Sequence, residues 1–383
     1  MERPLFLGSE IYRGSSYGRT HPLRVPRVST VMDLARAMGW LGPGTYRTSP
    51  RAKPQALRIW HTSAYVAALE AAERAQAVSA EMRARHGLGT VSNPVFPEMF
   101  RRPATAAGAS LLAGELLAGG GTIHHPGGGT HHGFPDRAAG FCYLNDPVLA
   151  ILSLRRAGVG RIAYVDIDAH HMDGVEHGLA GDPRTLLISV HEERRWPFTG
   201  AIGDDGGGNC LNLPVPRGLN DSEMAEIRER LILPAVAAFA PEAIVLQCGA
   251  DAVEEDPLSR LALSNGAHWA VLRGLMALGC PRLLVLGGGG YNPWSVGRLW
   301  TGVWAILNGI DIPDRLPPEG EAVLRGLRWE GARAGRTPPE HWFTTLADAA
   351  REGPVRAEVR ERLDLLAARP AARGRVSDLL TQD

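Results

Sequence analysis

The sequence predicts an α/β fold in which helices cover both faces of a central, mostly parallel sheet. Five short runs rich in Val, Ile and Leu end abruptly in Gly, His or Asp, and unbroken apolar runs of this length are typical of strands buried on both faces. Stretches with helical spacing of apolar residues separate these runs, as in a parallel sheet. The predicted strands are Thr122–His125, Ile162–Asp168, Thr185–His191, Ala243–Asp251 and Leu283–Tyr291.

Apolar spacings of three and four residues predict the helices. The chain has 383 residues, and an α/β fold of this length can form one unit. We expect one domain over residues 1–383, with its core over about residues 5–310. A charged, helical extension over about residues 317–383 is expected to pack on the outside of that core. The predicted helices are Ser29–Met38, Ala64–Arg85, Ala104–Leu117, Asp146–Ala157 and Asp221–Phe239.

The composition excludes several classes of function. The 41 basic and 41 acidic residues give a formal net charge of zero, so nothing indicates electrostatic capture of nucleic acid or of an anionic membrane. The first ten residues lack the features of a signal peptide, and no apolar run approaches the ~20 residues of a membrane-spanning helix. We expect a cytoplasmic protein with reduced thiols, because no C-x-x-C pair occurs among Cys142, Cys210, Cys248 and Cys280.

Three polar residues at predicted strand ends are candidate metal ligands. Asp168 and His170 stand two residues apart, so both side chains point to the same side. Asp251 ends another apolar run and is the natural third ligand. Three protein ligands with one open position are typical of a catalytic zinc site. An Asp-x-His pair alone is more often structural, but its coincidence with other polar strand ends favours a metal centre, because ligands bind beyond the carboxyl ends of parallel strands.

Further polar residues supply what metal-assisted hydrolysis needs beyond the metal. His131 and His132 follow three glycines, and two histidines can divide the work of base and acid if their partners differ. Asp166 and Asp173 flank the metal-ligand segment, and we pair them with His131 and His132 respectively. Tyr291 follows four glycines, and its hydroxyl could donate to a developing oxyanion. A histidine pair or a loop tyrosine taken alone is commonly structural.

Five motifs in order carry a family resemblance. They are GGGTHHG from Gly127, GFCYLND from Gly140, DIDAHHMDG from Asp166, GAD ending at Asp251 and GGGGY ending at Tyr291. In this order and spacing they resemble the histone deacetylase family, most of all bacterial acetoin-utilization-type and histone-deacetylase-like proteins. The resemblance runs from about Leu5 to Leu307 and implies the arginase/deacetylase fold.

The resemblance implies a zinc-dependent amidohydrolase that removes acetyl groups from acyl-lysine in proteins. One Zn²⁺ per chain would be bound by the three candidate ligands, and metal-activated water would attack the acetyl carbonyl. His132 would be the main general base and acid, with His131 as its electrostatic partner. Tyr291 would polarise the carbonyl and stabilise the oxyanion. Fe²⁺ or Co²⁺ would also suit this ligand set.

The resemblance also assigns a substrate channel and cation sites. Gly140 and Phe141 would wall the channel, the segment Trp196–Phe198 including Pro197 would lie opposite, and Leu258 and Glu98 would lie near the rim. Arg27 and Cys142 would line an internal cavity through which acetate leaves. A structural K⁺ or Na⁺ would be bound by an inner set, Asp166, Asp168, His170, Ser189 and Val190. An outer cation site would use Leu179, Asp182, Thr185 and Asn209.

Two departures from the family pattern bear on function. Pro97 stands where many eukaryotic members have an acidic residue that clamps the substrate backbone, with Glu98 beside it. Met172 replaces a glycine close to the metal loop. An arginase-like enzyme with two metal ions would need a further carboxylate at that position, so the sequence predicts one metal rather than two.

Two alternatives stay open beside protein deacetylation. An acetylpolyamine amidohydrolase performs the same chemistry on a small amine, so the substrate is either an acetylated protein or an acetylated small amine. An acyl-lysine-binding module that has lost catalysis is an alternative of another class, although all candidate ligands and the tyrosine are present. The sequence does not indicate an oligomeric state.

Overall fold

In the computed structural model, which describes residues 3–329 and 337–376, eight parallel strands form one sheet in the order β2-β1-β3-β8-β7-β4-β5-β6. Every pairing is parallel, and β3, β8, β7 and β4 occupy the middle of the sheet. The strands are β1 (Leu5–Gly8), β2 (Tyr46–Thr48), β3 (Gly121–His125), β4 (Ile162–Asp166), β5 (Thr185–Glu192), β6 (Cys210–Val215), β7 (Ala243–Gln247) and β8 (Arg282–Leu286).

Helices follow most strands and cover both faces of the sheet, as the sequence predicts for this fold class. A π-helical turn over Arg228–Ile232 connects two of them. The helices are α1 (Ile11–Gly14), α2 (Val28–Ala37), α3 (Pro54–Leu57), α4 (Ser63–Ala75), α5 (Ala80–His86), α6 (Arg101–Leu116), α7 (Asp146–Arg156), α8 (Asp173–Leu179), α9 (Asp221–Ile227), α10 (Leu233–Phe239), α11 (Asn265–Ala277), α12 (Pro293–Leu307), α13 (Pro318–Arg325), α14 (His341–Thr344) and α15 (Ala357–Ala367).

Alternate residues of the central strands enter two separate cores. In β4, Ala163 and Val165 pack with helices α2, α11 and α12, whereas Tyr164 packs with α6 and α7 on the opposite face. Helices α6 and α7 approach closely because Gly114 has no side chain: a Cβ there would lie 2.5 Å from the Cβ of Ser153. Burial on both faces explains why these strands have unbroken apolar sequences.

The five predicted strands are present, but three of them end sooner than predicted. The residues after β4, β7 and β8 leave the sheet as loops, and those loops carry the polar motifs. Strands β1, β2 and β6 were not predicted. The first two are only four and three residues long, and β6 contains Pro214, which is unusual within a strand.

Two predicted helices are interrupted. Gln76 has a left-handed backbone with φ of 49° and ends α4, so Ala64–Arg85 forms two helices rather than one. The π-helical turn divides Asp221–Phe239. Helices α11 and α12 were not predicted, although the fully buried Trp300 and Trp304 of α12 are among the largest side chains of the core.

The predicted C-terminal extension is helical and contributes to the core. Leu324 of α13 and Leu363 of α15 are fully buried in the same cluster as α2 and α12. Residues 1–2, 330–336 and 377–383 of the expected domain lie outside the described residues. None of the helices in the described ranges has the length and apolar character needed to cross a membrane.

Candidate active site

The candidate ligands and catalytic residues meet at the carboxyl edge of the four central strands. The histidine pair follows β3, Asp168 and His170 follow β4, Asp251 follows β7, and Tyr291 follows β8. Because β3, β8, β7 and β4 are neighbours in the sheet, loops distant in sequence come together. This is the location where open α/β sheets bind ligands.

Asp168, His170 and Asp251 form a compact triad. Each offers a ligand atom, and these atoms lie within 4.8 Å of one another. His170 Nδ1 is 2.9 Å from Asp251 Oδ2 and 3.2 Å from Asp168 Oδ1. Among the described residues this is the one group of three or more His, Cys, Asp or Glu side chains arranged to hold a metal ion.

The surroundings of the triad fit a cation. Two buried carboxylates face one imidazole, and their charge raises the pKa of His170 to about 10 against the opposing effect of burial. The second oxygen of each carboxylate is fixed by a backbone amide: Gly289 N donates to Asp168 at 2.6 Å and Ala169 N donates to Asp251 at 3.0 Å. Excess negative charge held in fixed positions favours a divalent ion.

Glycine is required on both sides of the triad. A Cβ at Gly249 would lie 2.1 Å from Asp168 Oδ2, and a Cβ at Gly289 would lie 2.1 Å from Asp251 Oδ2. Either contact is far shorter than a van der Waals separation, so any other residue would displace a carboxylate. The glycines thus let the loops after β7 and β8 close around the ligands.

The two histidines have different carboxylate partners, and the pairs are those expected from the sequence. His131 Nδ1 lies 2.8 Å from Asp166 Oδ2, and His132 Nδ1 lies 2.6 Å from Asp173 Oδ1. The two rings are 3.9 Å apart between centroids. Because each Nδ1 is engaged, each ring presents Nε2 to the site.

Burial and neighbouring charges shift the pKa values of the two rings in opposite directions. Burial opposes charge on His131, but Asp166 and Asp168 outweigh it and raise its pKa to about 9. Burial and the charge of His131 lower the pKa of His132 to about 4 despite Asp173. The arrangement therefore holds one charged and one neutral imidazole side by side.

A cleft of about 390 Å³ leads from the surface to His132, His170 and Tyr291. The exposed side chain of Trp196 lines the cleft together with Phe141, and its ring is 4.6 Å from that of His132. A Cβ at Gly140 would lie 2.3 Å from the Trp196 ring. The close contact between these two residues therefore requires glycine at position 140. Leu258 lines the same cleft, as expected from the sequence.

The histone deacetylase domain model matches residues 21–307, about three quarters of the chain. The chain belongs to the histone deacetylase family. This confirms the family resemblance inferred from the motifs and the fold expected from it.

Individual relatives agree with the family match. The chain is 32% identical to the acetoin utilization protein AcuC of Bacillus subtilis over 332 residues, covering 83% of this chain and 86% of AcuC. It is also 32% identical to the putative histone deacetylase 2 of Caenorhabditis elegans, but spans only 61% of that protein. The crystal structure of a histone deacetylase homolog from Aquifex aeolicus superposes with a TM-score of 0.90 at 34% identity, over 96% of this chain and 100% of the homolog.

Two of the predicted channel residues differ from expectation in this family member. Glu98 does not line the cleft; it lies with Arg101 and Thr105 in a separate surface pocket. The reason is the tight turn before α6, in which Phe96 and Met99 are buried and Glu98 is turned away from them. Pro197 is not among the lining residues, although both of its sequence neighbours are.

An inner cavity of about 30 Å³ lies behind the triad and contains both residues predicted for it, Arg27 and Cys142. Arg27 Nη1 donates to the carbonyl of Gly288 at 2.7 Å, and its guanidinium stacks on Trp300 at 5.3 Å. The cavity shares His131, His132 and Tyr291 with the catalytic centre. A cation thus faces the space directly behind the candidate metal ligands.

The two predicted monovalent cation sites differ in structure. In the inner set, Asp166 and Ser189 are register partners on β4 and β5. In the outer set, the side-chain nitrogen of Asn209 donates to the carbonyls of Leu179 at 2.9 Å, Asp182 at 3.2 Å and Thr185 at 3.0 Å. The side-chain nitrogen of Asn209 thus lies among carbonyls of three residues of the outer set.

Two further carboxylates shape the site, and neither had been assigned a role from the sequence. Asp146 accepts hydrogen bonds from Gly129 N and Thr130 N and so fixes the loop before the histidines. Asp256 accepts from Tyr291 N at 2.6 Å and fixes the loop of the tyrosine. Both are buried carboxylates that cap backbone amides; Asp146 ends the GFCYLND motif, whereas Asp256 belongs to none of the five motifs.

Proposed function

We propose that this family member is a zinc-dependent deacetylase that hydrolyses the acetyl amide of acyl-lysine in proteins. The observation that carries the proposal is the convergence of a metal-ligand triad, two carboxylate-bound histidines and a buried tyrosine at the base of one aromatic-walled cleft. Amide hydrolysis needs an electrophilic centre, a base, an acid and an oxyanion donor. Each has a candidate at this location.

Asp168, His170 and Asp251 would hold one divalent cation. When bound there, such an ion supplies Lewis acidity that polarises a water molecule and the amide carbonyl. Zn²⁺ is the proposed ion, and Fe²⁺ or Co²⁺ could substitute because two carboxylates and one imidazole form a relatively hard ligand set. Met172 is fully buried in the core beside α8, so the loop offers no further carboxylate at that position for a second ion.

His132 would move the protons of the reaction. Its Nε2 faces the cleft, and its Nδ1 is oriented by Asp173, so Nε2 can accept a proton from water and later deliver it to the leaving amine. His131, held by Asp166, would stay charged beside it and stabilise the negative charge that develops. The pairing of each ring with its own carboxylate supports this division of roles.

Tyr291 would donate a hydrogen bond to the developing oxyanion. Burial raises the pKa of its hydroxyl well above the ordinary value, and the nearby Asp251 and Asp168 add to that effect. The hydroxyl therefore keeps its proton. Phe141, whose ring is 5.7 Å from that of Tyr291, would wall the channel for the apolar stem of the lysine together with Trp196.

Two ancillary sites complete the proposal. The inner cavity would receive the acetate product beside the guanidinium of Arg27. A structural K⁺ or Na⁺ would be bound by the inner set, with backbone oxygens from Asp168, His170 and Val190. The outer set, where the Asn209 side-chain nitrogen lies beside the carbonyls of Leu179 and Thr185, would hold a second such ion.

The proposal is tested by following release of acetate from an acetyl-lysine peptide and from acetylated putrescine under the same conditions. We expect turnover of the peptide, abolition by a chelator and recovery on addition of Zn²⁺. A preference for the acetylated diamine would overturn the assignment to protein substrates. Absence of turnover with both would favour the alternative of a binding module.

A further inference from the structure

Among the residues that the structure describes, three arginines and no carboxylate line the mouth of the cleft. Arg194, Arg195 and Arg217 are the charged residues of its wall outside the catalytic centre. Glu98, the acidic residue expected near the rim, lies in another pocket. The entrance to the candidate active site therefore carries positive charge although the whole chain has a formal net charge of zero.

The three arginines are not equivalent. Arg195 is structural, because its Nη2 donates to Glu192 at 3.0 Å and its Nη1 donates to the carbonyl of Leu258 at 2.7 Å. Arg217 is 3.6 Å from the same Glu192, but its side chain is 73% exposed. Arg194 is exposed and forms no ion pair with any residue in the described ranges.

One carboxylate cannot neutralise this rim. Glu192 is almost fully buried, and it also accepts a hydrogen bond from the backbone of Arg260. The Glu192 carboxylate pairs mainly with Arg195. The guanidinium groups of Arg194 and Arg217 are therefore available to a ligand at the surface. Guanidinium groups bind carboxylates in two-pronged geometry, and unpaired charges at a cleft mouth steer oppositely charged ligands.

Resting on the proposed deacetylase function, we propose that Arg194 and Arg217 select substrates with carboxylates next to the acetylated lysine. Exposed aromatic surface adjoins the arginines, since the side chain of Phe198 is 74% exposed and lines the same cleft. A peptide with Asp or Glu beside the acetyl-lysine meets opposite charge at the mouth. An acetylated polyamine carries further ammonium groups, which the same arginines repel.

The test compares three peptides that differ in the residues flanking one acetyl-lysine: acidic, neutral and basic. We expect the intact enzyme to show kcat/KM about tenfold higher for the acidic than for the basic peptide at low salt. The ratio should shrink at ionic strength well above about 0.15 M, where exposed charges are screened. Acetylated spermidine should be turned over less efficiently than the acidic peptide.

Variants assign the effect to the two arginines. The double change Arg194→Glu with Arg217→Gln should bring the acidic-to-basic ratio to about one or below it. Arg195 is left in place because it holds the loop. Arg58→Glu changes an exposed arginine that does not line the cleft, and it should keep the ratio of the parent enzyme.

Two outcomes would overturn the inference: equal turnover of the acidic and basic peptides by the parent enzyme, or an unchanged ratio in the double variant. Failure of the proposed function would look different. In that case none of the three peptides would be deacetylated, the neutral one included, or acetylated spermidine would be turned over in preference to all three.

Discussion

A substitution at Tyr291 tests catalysis separately from metal binding. Tyr291 lines both the cleft and the inner cavity but is not part of the triad. We expect Tyr291→Phe to lower kcat by on the order of 10²-fold or more, the effect of removing one oxyanion donor. Metal content measured by elemental analysis should remain that of the parent enzyme.

A matched control is Tyr46→Phe, which changes a half-buried tyrosine on the edge strand β2. It should keep the parent kcat. Full activity of Tyr291→Phe on an acetyl-lysine peptide would contradict the donor role.

At the scale of residues, the sequence predicted the roles of those side chains that have a catalytic function and lie within a recognisable motif. The pairs His131 with Asp166 and His132 with Asp173 could be inferred because two histidines need different partners. The position of Glu98 could not, since a local turn decides which way its side chain points. Arg194 and Arg217 come together only through the fold, because 23 positions of sequence separate them.

The loops after β7 and β8 determine the geometry of the metal centre at the scale of elements. We expect Gly289→Ala to reduce metal affinity about 10- to 100-fold, the range found when groups that orient ligands are disturbed. The reason is the 2.1 Å approach of the added Cβ to Asp251 Oδ2. Titration of metal-depleted protein with Zn²⁺ measures this change in metal affinity.

Gly42→Ala is the control, because a Cβ at Gly42 meets no atom within 4 Å. Parent-like zinc affinity in Gly289→Ala would show that the loop can move away from the carboxylate. The role assigned to close packing around the triad would then be wrong.

Sequence patterns predicted the central strands of the sheet well and the strands at or near its edges poorly. Strands β3, β4, β5, β7 and β8 are buried and apolar, which makes them visible as runs. Strands β1, β2 and β6 are short or interrupted by polar residues and proline, so pairing in the sheet rather than local pattern defines them. The helix α4 ends at Gln76, which has a left-handed backbone. Glycine is the usual residue in that conformation, so a glutamine there gives no sequence signal that a helix ends.

Buried histidines make the stability of the whole molecule depend on pH. Burial lowers the pKa of His61 to about 4, and its Nε2 accepts a hydrogen bond from Asn145 N, which requires the neutral ring. The unfolded chain takes up a proton at a pKa near 6.5, so stability is lost as pH falls from about 6.5 to about 4. His61 alone should contribute on the order of 3 kcal/mol to this loss.

The measurement is the free energy of unfolding in urea at several pH values in this window. His61→Gln should show a shallower decline than the parent protein, and His177→Gln, which changes an exposed histidine, should show the parent decline. Equal slopes for His61→Gln and the parent would contradict the requirement for a neutral ring.

The central claim is that Asp168, His170 and Asp251 hold one metal ion on which deacetylation depends. The most direct measurement determines metal content and acetyl-lysine turnover together in the parent enzyme and in Asp251→Ala. We predict about one metal ion per chain in the parent and joint loss of metal and activity in the variant. Two ions per chain in the parent, or undiminished turnover by Asp251→Ala, would contradict the claim.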